Sequence, residues 1–183
     1  MKVLSHEEIE RFLIQAKADG FFEAFLLELS TGLRRGELAA LQWNDLNLKS
    51  GELSITKQLQ RIDGELVITR PKTRSSTRTL VLRVLAAYKE TVDSPWLFPS
   101  PHDPDLPLSP CVFTNRTQRI LERAECKQVR FHDLRHTFAT LALEDEMDVK
   151  TLSAILGHMS SDVSLDVYAH TTSKMQQAAA STI

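Results

Sequence analysis

Four short segments of this sequence carry side chains suited to chemistry on an anion. The first is residues 31–37, TGLRRGE, which lie where one predicted helix ends and the next begins. Backbone N–H groups at the start of a helix and the guanidinium of Arg34 can bind an oxyanion together. Glu37 follows Arg34 by about one helical turn and can orient it through an ion pair. Taken alone, this segment is equally typical of an ordinary pair of surface charges.

The second segment is residues 71–78, PKTRSSTR, which place Lys72 on a predicted turn between two strands. A lysine at the tip of a hairpin can reach a bound ligand and deliver a proton to it. Taken alone, this segment is better explained as a solvated basic turn.

The third segment is residues 132–136, HDLRH, on a predicted helix. His132 and Arg135 are three residues apart, so both can touch the same oxyanion from one face of the helix. His132 and His136 have the four-residue spacing of metal ligands on a helix. Asp133, however, stands where the metalloprotease helix has glutamate, and Arg135 would bring a cation close to the metal. We therefore predict that no metal binds here.

The fourth segment joins Gly157-His158 to Tyr168, one of the two tyrosines in the chain. Singly, these residues are typical of a helix cap and of a core aromatic. All four segments together provide two arginines, two histidines, a lysine and a tyrosine, a set suited to phosphoryl transfer without a metal. Guanidiniums bind the non-bridging oxygens, and a phenol with a pKa of about 10 needs such cations to attack as phenolate. A lysine can protonate the leaving oxygen.

Hydrophobic periodicity predicts that helices position most of these side chains. A first helix over residues 5–18 is capped by Ser5, with Glu8 completing a capping box, and a strongly apolar helix over 21–30 is predicted to be buried. Further helices are predicted over residues 35–41, 82–91, 109–125, 131–145, 148–156 and 161–169.

Two stretches do not follow the helical period. Turn signals at Ser50-Gly51 and Asp63-Gly64 predict a small antiparallel sheet of three or more strands at residues 46–82. Residues 93–110 hold six of the seven prolines, so they form neither a regular helix nor a central strand, and by composition they are a candidate linker. Within them, the apolar residues 96–98 are predicted to pack inward.

Composition and charge distribution narrow the functional class. The 183 residues are 42% apolar, which suits one compact domain or two small ones, and no apolar run approaches a membrane span or a secretion signal. Two cysteines favour free thiols in a cytosolic protein. The net charge of −2 argues against a nucleic-acid partner, yet residues 57–83 carry seven Lys and Arg against two acids, and residues 115–136 six against three. Acidic residues elsewhere therefore cancel two basic blocks in the net charge. Such blocks alone are usually solvated faces.

In their order and separation, the motifs TGLRRGEL, PKTRSSTRTL, HDLRHTFAT, LGH and VYAH resemble the catalytic domain of the tyrosine recombinases, the phage integrase family. Integrases of Gram-positive phages and conjugative transposons are the most similar in pattern. The resemblance covers about residues 4–172 and implies an α+β, mainly α fold, with a small three-stranded antiparallel sheet at one edge. Because the motifs lie on both sides of residues 93–110, it makes that stretch a connection within a single domain over residues 1–183.

The resemblance also implies a role for each matched residue. Arg34 would be the first catalytic arginine, with Glu37 as its supporting acid, and Lys72 would be the general acid. His132 and Arg135 would form the central pair, in which the histidine manages the proton of the nucleophile and the arginine holds the scissile phosphate.

The remaining roles fall on the C-terminal motifs and on the basic blocks. His158 would be the second phosphate-binding histidine, and Tyr168 would be the nucleophile that forms a covalent 3′-phosphotyrosine. Tyr88 matches no motif and is assigned to packing. Five arginines of the basic segments are predicted to contact DNA: Arg35, Arg74, Arg78, Arg116 and Arg119.

The implied reaction is site-specific cleavage and rejoining of double-stranded DNA in the bacterial cytoplasm, at the nucleoid, without a metal, ATP or other cofactor. The implied partners are further recombinase subunits, in a tetramer on DNA for the full-length protein, and the isolated domain is expected to be a monomer with no membrane contact. The N-terminal DNA-binding domains of the family are absent from this sequence, so we expect a fragment that binds DNA weakly alone. The tail over residues 172–183 is expected to be disordered or exchanged with a neighbouring subunit.

Three alternatives stay open on the sequence alone. The chain could be a non-catalytic DNA-binding or regulatory module that kept the fold. It could be a metal-dependent hydrolase built on His132 and His136. It could also be a type IB topoisomerase, which uses related chemistry but relaxes supercoils without strand exchange.

Overall fold

The structure, a computed structural model, describes residues 2–70, 77–81 and 85–157 and is mainly helical. The first helix begins as predicted, because the Ser5 hydroxyl accepts from the N–H of Glu8 and the Glu8 carboxylate accepts from the N–H of Ser5. The α-helices of the described residues are α1 (His6–Ala18), α2 (Phe22–Thr31), α3 (Arg35–Ala39), α4 (Ala86–Lys89), α5 (Pro110–Arg123), α6 (Phe131–Glu144) and α7 (Val149–Leu156).

Most predicted helices agree with these spans to within two residues at each end, and α4 is the exception. It covers four residues, whereas the apolar pattern predicts a helix over 82–91, of which 82–84 lie outside the described residues. After α4 the chain leaves the helical path, because the Thr91 hydroxyl donates to the carbonyl of Tyr88 and competes with helical hydrogen bonds. The helix predicted over 161–169 lies outside the described residues.

Within the described residues the strands form two small sheets, whereas the sequence predicts a single sheet at residues 46–82. Strands β1 (Leu46–Asn47), β2 (Glu52–Ile55) and β5 (Arg78–Val81) make an antiparallel sheet in the order β1-β2-β5. Strands β3 (Gln58–Ile62) and β4 (Glu65–Thr69) make a separate antiparallel hairpin. Because β2 already has β1 on one edge and β5 on the other, its edges are occupied and β3 pairs with β4 alone.

The proline-rich stretch is built into the fold and does not act as a linker. Trp96, Leu97 and Phe98 are buried, as predicted. The N–H of Leu97 donates to the carbonyl of Leu41, and the N–H of Leu108 donates to the carbonyl of Phe98. The first bond ties the stretch to the segment after α3, and the second closes the stretch on itself, so it is part of one packed body.

Helix α2 lies at the centre of the core, packed against both α1 and α6. Its Phe25 ring meets the ring of Phe12 edge-on at a centroid distance of 5.0 Å and also contacts Phe131. Phe131 in turn contacts Phe113 on α5. These aromatic contacts join four helices and fix the position of α2 within the core.

Two expectations from composition can be compared with the structure. Cys111 is exposed, Cys126 is buried, and both are free thiols, as predicted. Burial raises the pKa of Cys126. No helix among the described residues is long and apolar enough to cross a membrane.

Phe25→Ala tests the central position of α2. We expect a loss of about 3–5 kcal/mol in the free energy of unfolding, because the substitution leaves a cavity among three aromatic rings. Ile14→Ala on α1 is the control, since Ile14 is 72% exposed and its loss should change stability by no more than about 0.5 kcal/mol. Urea denaturation measures both, and equal effects of the two substitutions would contradict the packing described above.

Candidate active site

Three arginines from separate parts of the chain converge on the C-terminal end of α7, where they bind the successive carbonyls of residues 155–157. Arg78 on β5 donates from Nε to the first (2.5 Å), and Arg135 on α6 donates from Nη2 to the second (2.7 Å). Arg34, just before α3, has its Nη2 3.5 Å from the third. The C-terminal end of a helix carries partial negative charge, so it offsets the mutual repulsion of the cations. We call these three residues the arginine cluster.

The turn between α2 and α3 brings Arg34 to the cluster. α2 ends at Gly32, whose φ of +58° is left-handed. A Cβ atom there would lie 2.7 Å from the side chain of Leu156 and 2.8 Å from that of Phe138, so this close approach requires glycine. The carbonyl of Gly32 accepts a hydrogen bond from Nη1 of Arg135 (2.5 Å). The residue that ends α2 therefore also positions a second arginine.

Glu37 is the carboxylate of the cluster, and it is 2% exposed. Its Oε1 accepts from Nη1 of Arg34 at 2.8 Å, and its two oxygens accept from Nη1 and Nη2 of Arg78 at 3.2 and 2.9 Å. Burial acts to raise the pKa of Glu37, but the hydrogen bonds and charges of Arg78 and Arg34 outweigh it and lower the pKa. The predicted contact with Arg34 is present, whereas sequence analysis did not find the contact with Arg78.

Arg78, which the sequence predicts to contact DNA, lies in a buried ion pair. Its side chain is 6% exposed and is held by Glu37 and by the carbonyl of Ile155. A Cβ atom at Gly157 would lie 3.0 Å from its Nη1, so the guanidinium also packs closely against the end of α7. A count of charges over residues 57–83 cannot distinguish a guanidinium in a buried ion pair from one in solvent.

Arg135 is buried but retains N–H groups for a ligand. It uses two of them on the carbonyls of Gly32 and Leu156, and its guanidinium has no other hydrogen-bond partner among the described residues. Burial, and then the charge of Arg34, lowers the pKa of Arg135 to about 10. The side chain is therefore still a cation at neutral pH.

His132 and His136 lie on adjacent turns of α6, with their rings nearly perpendicular and the ring centroids 4.9 Å apart. Burial, and then the charge of His136, lowers the pKa of His132, and burial lowers that of His136. Both imidazoles are therefore mainly neutral at pH 7, so His132 can accept a proton. No group of three or more potential metal-ligating side chains occurs within residues 2–70, 77–81 and 85–157.

Glu28, which sequence analysis did not single out, lies inside α2 close to the cluster. Its side chain is fully buried, and neither carboxyl oxygen has a hydrogen-bond partner in the described structure. Burial raises its pKa well above the usual range, and the charges that act on it are those of Arg135, Glu37 and Arg78. The sequence could have indicated Glu28, because it is an acidic residue late in a strongly apolar helix.

Four predicted site residues lie outside the described residues: Lys72, Arg74, His158 and Tyr168. Their roles stay predictions. The described chain ends at Gly157, whose carbonyl lies at the arginine cluster.

The other predicted DNA-binding arginines lie in different places. Arg35 is exposed and donates to a threonine hydroxyl of α5 at 2.8 Å, and Arg119 is exposed on α5. The guanidinium of Arg116 lies 5.0 Å from the ring centroid of Phe21. Because Phe21 precedes α2 and Gly32 follows it, Arg116 is separated from the cluster by the length of α2, about 15 Å.

This arrangement can bind an oxyanion. The Arg34 side chain is 37% exposed, and Arg135 keeps N–H groups that no described residue uses. The cluster has three guanidiniums and one paired carboxylate, that of Glu37, so the site holds an excess of positive charge. A ligand that spreads negative charge over several oxygens, such as a phosphate, matches it.

Comparison with known proteins identifies a family for this arrangement. The model of the phage integrase family matches residues 2–175 of the chain. The ICEBs1 integrase of Bacillus subtilis is 30% identical over 188 residues, which cover 93% of this chain and 50% of that protein. The transposase of transposon Tn916 from Enterococcus faecalis is 29% identical over 195 residues, which cover 93% of this chain and 48% of that protein. The chain thus spans about half the length of the curated relatives it matches.

Solved structures agree with this fold. The Tn1549 transposon integrase in complex with transposon right end DNA superimposes with a TM-score of 0.82 at 24% identity, covering 100% of this chain and 66% of the integrase chain. XerA recombinase superimposes with a TM-score of 0.73 at 24% identity, covering 92% of this chain and 58% of the other. The predicted fold class is therefore confirmed.

Glu37→Gln tests the ion pairs of the cluster. We expect the free energy of unfolding to fall by about 3–5 kcal/mol at neutral pH, mainly because the buried guanidinium of Arg78 loses its charge partner. The contact with Arg34 contributes less, because that side chain is 37% exposed. Since the pKa of Glu37 is lowered by folding, its contribution is present above the unfolded pKa of about 4.3 and is lost as the pH falls through the folded pKa. Denaturation at several pH values should show the deficit narrowing below about pH 4.3. Glu10→Gln, at an exposed position on α1, is the control, and a deficit that is constant with pH would contradict the assignment.

Gly32→Ala tests the close approach of α2 to α7. Gly20→Ala is the matched control, because Gly20 also has a positive φ but no atom within 4 Å of an added Cβ. We expect the free energy of unfolding of the control to fall by about 1–2 kcal/mol through backbone strain. For Gly32→Ala the free energy of unfolding should fall by about 1–3 kcal/mol more than for the control, because the side chains of Leu156 and Phe138 must move. If thermal denaturation shows the same loss for both, the packing at Gly32 is looser than described.

Proposed function

Because the chain belongs to the phage integrase family, we propose that it is the catalytic domain of a site-specific DNA recombinase, which cleaves and rejoins double-stranded DNA through a covalent 3′-phosphotyrosine. One observation carries the proposal. Arg34 and Arg135, far apart in the sequence, reach the adjacent carbonyls of Gly157 and Leu156, and this convergence supports a single oxyanion site.

The proposed reaction exchanges one phosphate ester for another. Arg34 and Arg135 hold the non-bridging oxygens of the scissile phosphate and offset the negative charge that grows in the transition state. The phenolate oxygen of Tyr168 attacks the phosphorus, the bond to the 5′ oxygen breaks, and Lys72 gives that oxygen its proton. Attack by a 5′ hydroxyl on the phosphotyrosine reverses these steps and rejoins the strand. Because an ester bond is kept throughout, the proposed cycle needs no ATP. The arginines supply the positive charge in the transition state, so the proposal includes no metal.

Two histidines complete the proposed mechanism. His132 takes the proton of the attacking phenol, and its lowered pKa supports this role because a neutral imidazole has a free acceptor nitrogen. His158 adds a hydrogen bond to the phosphate. Arg35 and Arg119, which are exposed, would contact backbone phosphates of the DNA, and such contacts strengthen binding without reading the sequence.

The proposal extends to the partners of a complete recombinase. The Tn1549 integrase structures are complexes with transposon DNA, which supports double-stranded DNA as the substrate class here. Assembly with further recombinase subunits on DNA is proposed from the family resemblance.

Nicked suicide substrates with randomised duplex sequence test the proposal. The parent chain should form a covalent protein–DNA adduct that survives denaturing electrophoresis, and mass spectrometry should place the phosphate on Tyr168. Tyr168→Phe should abolish the adduct, because phenylalanine has no nucleophilic oxygen. Tyr88→Phe is the matched control at the other tyrosine of the chain, which packs against Trp43 and Phe98, and it should leave the adduct yield unchanged.

Two outcomes would contradict the proposal. If Tyr168→Phe forms as much adduct as the parent, the nucleophile is wrong. If the parent binds DNA but forms no adduct on any nicked substrate, the non-catalytic DNA-binding alternative is favoured.

A further inference from the structure

Glu28 places a carboxyl group near the arginine cluster without a hydrogen bond to any described residue. Its side chain is fully buried, one helical turn before Gly32. The N–H of Gly32 donates to the backbone carbonyl of Glu28 (2.7 Å), and the carbonyl of Gly32 accepts from Arg135. The helical turn that carries this carboxyl is thus the turn that positions a phosphate-binding arginine, yet the proposed reaction gives the carboxyl no role.

Charged groups from three elements act on Glu28. Arg135 comes from α6, Glu37 from α3 and Arg78 from β5, while α1, which also packs on α2, contributes apolar side chains to their contact. Burial outweighs the attraction of the arginines and raises the pKa of Glu28, so the neutral carboxylic acid persists to higher pH than in an exposed glutamate.

The protonation state of Glu28 sets the net charge of the site. With Glu28 ionised, the three cations of the arginine cluster would face two carboxylates; with Glu28 neutral, they face Glu37 alone. In a buried site this difference of one charge is poorly screened and acts strongly on a bound ion. A phosphodiester is an anion, and its transesterification adds negative charge in the transition state, so the neutral form of Glu28 matches the ligand better.

We propose that Glu28 is a positioning residue whose proton is linked to oxyanion binding at the arginine cluster: the bound oxyanion favours the neutral carboxyl, and loss of the proton weakens binding of the oxyanion. The inference rests on the proposed function, which assigns the scissile phosphate to Arg34 and Arg135. Glu28 does not touch the substrate. It acts through the negative charge that it carries when ionised, which interacts with Arg135. Linkage is reciprocal, so the effect can be measured from either side.

Carboxyl-carbon NMR of the 183-residue chain, with inorganic sulfate as the probe, tests this linkage. Sulfate suits the purpose because, unlike phosphate, it keeps the same charge from mildly acidic to alkaline pH. We expect saturating sulfate to raise the midpoint pH at which Glu28 titrates. In the same pH range, the dissociation constant of sulfate should rise by up to about tenfold per pH unit, the limit for one linked proton.

Variants separate this effect from a merely structural role. Glu28→Gln keeps the size of the side chain but cannot ionise, so it should remove the dependence of sulfate affinity on pH in this range. Glu23→Gln, on the first turn of α2 beside the cavity lined by Tyr88 and Phe98, is the matched control and should keep the dependence. Arg135→Lys should weaken sulfate binding at every pH, which locates the probe at the cluster.

Several outcomes would overturn the proposal. A Glu28 midpoint that does not move with sulfate is one, and this measurement needs no variant to fold. A Glu28→Gln variant with the parent's pH dependence is another, and so is a parent that binds no sulfate at any pH. Adduct formation through Tyr168 is a separate measurement, so an adduct without linkage would keep the proposed function and discard this inference.

Discussion

The three guanidiniums at the end of α7 would repel one another strongly if nothing lay between them. Two features offset this repulsion: the partial negative charge of the last helical carbonyls, and the buried carboxylate of Glu37. Arg34, Arg78 and Arg135 come from a turn, a strand and a helix that are otherwise separate. Because all three meet the same helix end, the position of α7 determines whether the site exists.

The apolar core determines where these cations can meet. α2 is fixed between α1 and α6 by Phe25 and its aromatic neighbours, and it ends at Gly32, where the chain passes α7 more closely than any side chain would allow. A site on rigid elements is held to a narrow geometry, and here the rigid elements are the helices of the core. Burying an ion cluster adds little net stability but makes other arrangements costly. The cluster therefore fixes the relative positions of the three arginines more than it raises the free energy of unfolding.

Local patterns predicted most of the fold, and long-range contacts account for what they missed. The capping box at Ser5 and the pair of Arg34 with Glu37 each join residues three apart, so spacing alone indicated them. The contact of Arg78 with Glu37 joins residues 41 apart, and no local pattern carries that information. Glu28 was missed for a related reason, because helical periodicity predicts burial of the segment without showing which charges it meets. The sequence predicted one sheet and the described residues form two, because strand pairing depends on which strand edges are already occupied.

The contact of Arg34 with the carbonyl of Gly157 spans 123 positions of the chain, and that distance has a consequence during synthesis. A ribosome releases Arg34 and Arg78 long before it releases the residues of α7. Until then, these arginines lack the helix end that gathers them with Arg135. Glu37 can pair with Arg34 and Arg78 before α7 emerges, but the site that gathers them with Arg135 arises only when translation has passed α7. Assembly of the site is in this sense timed by the order of the chain, because it cannot be complete before α7 has left the ribosome.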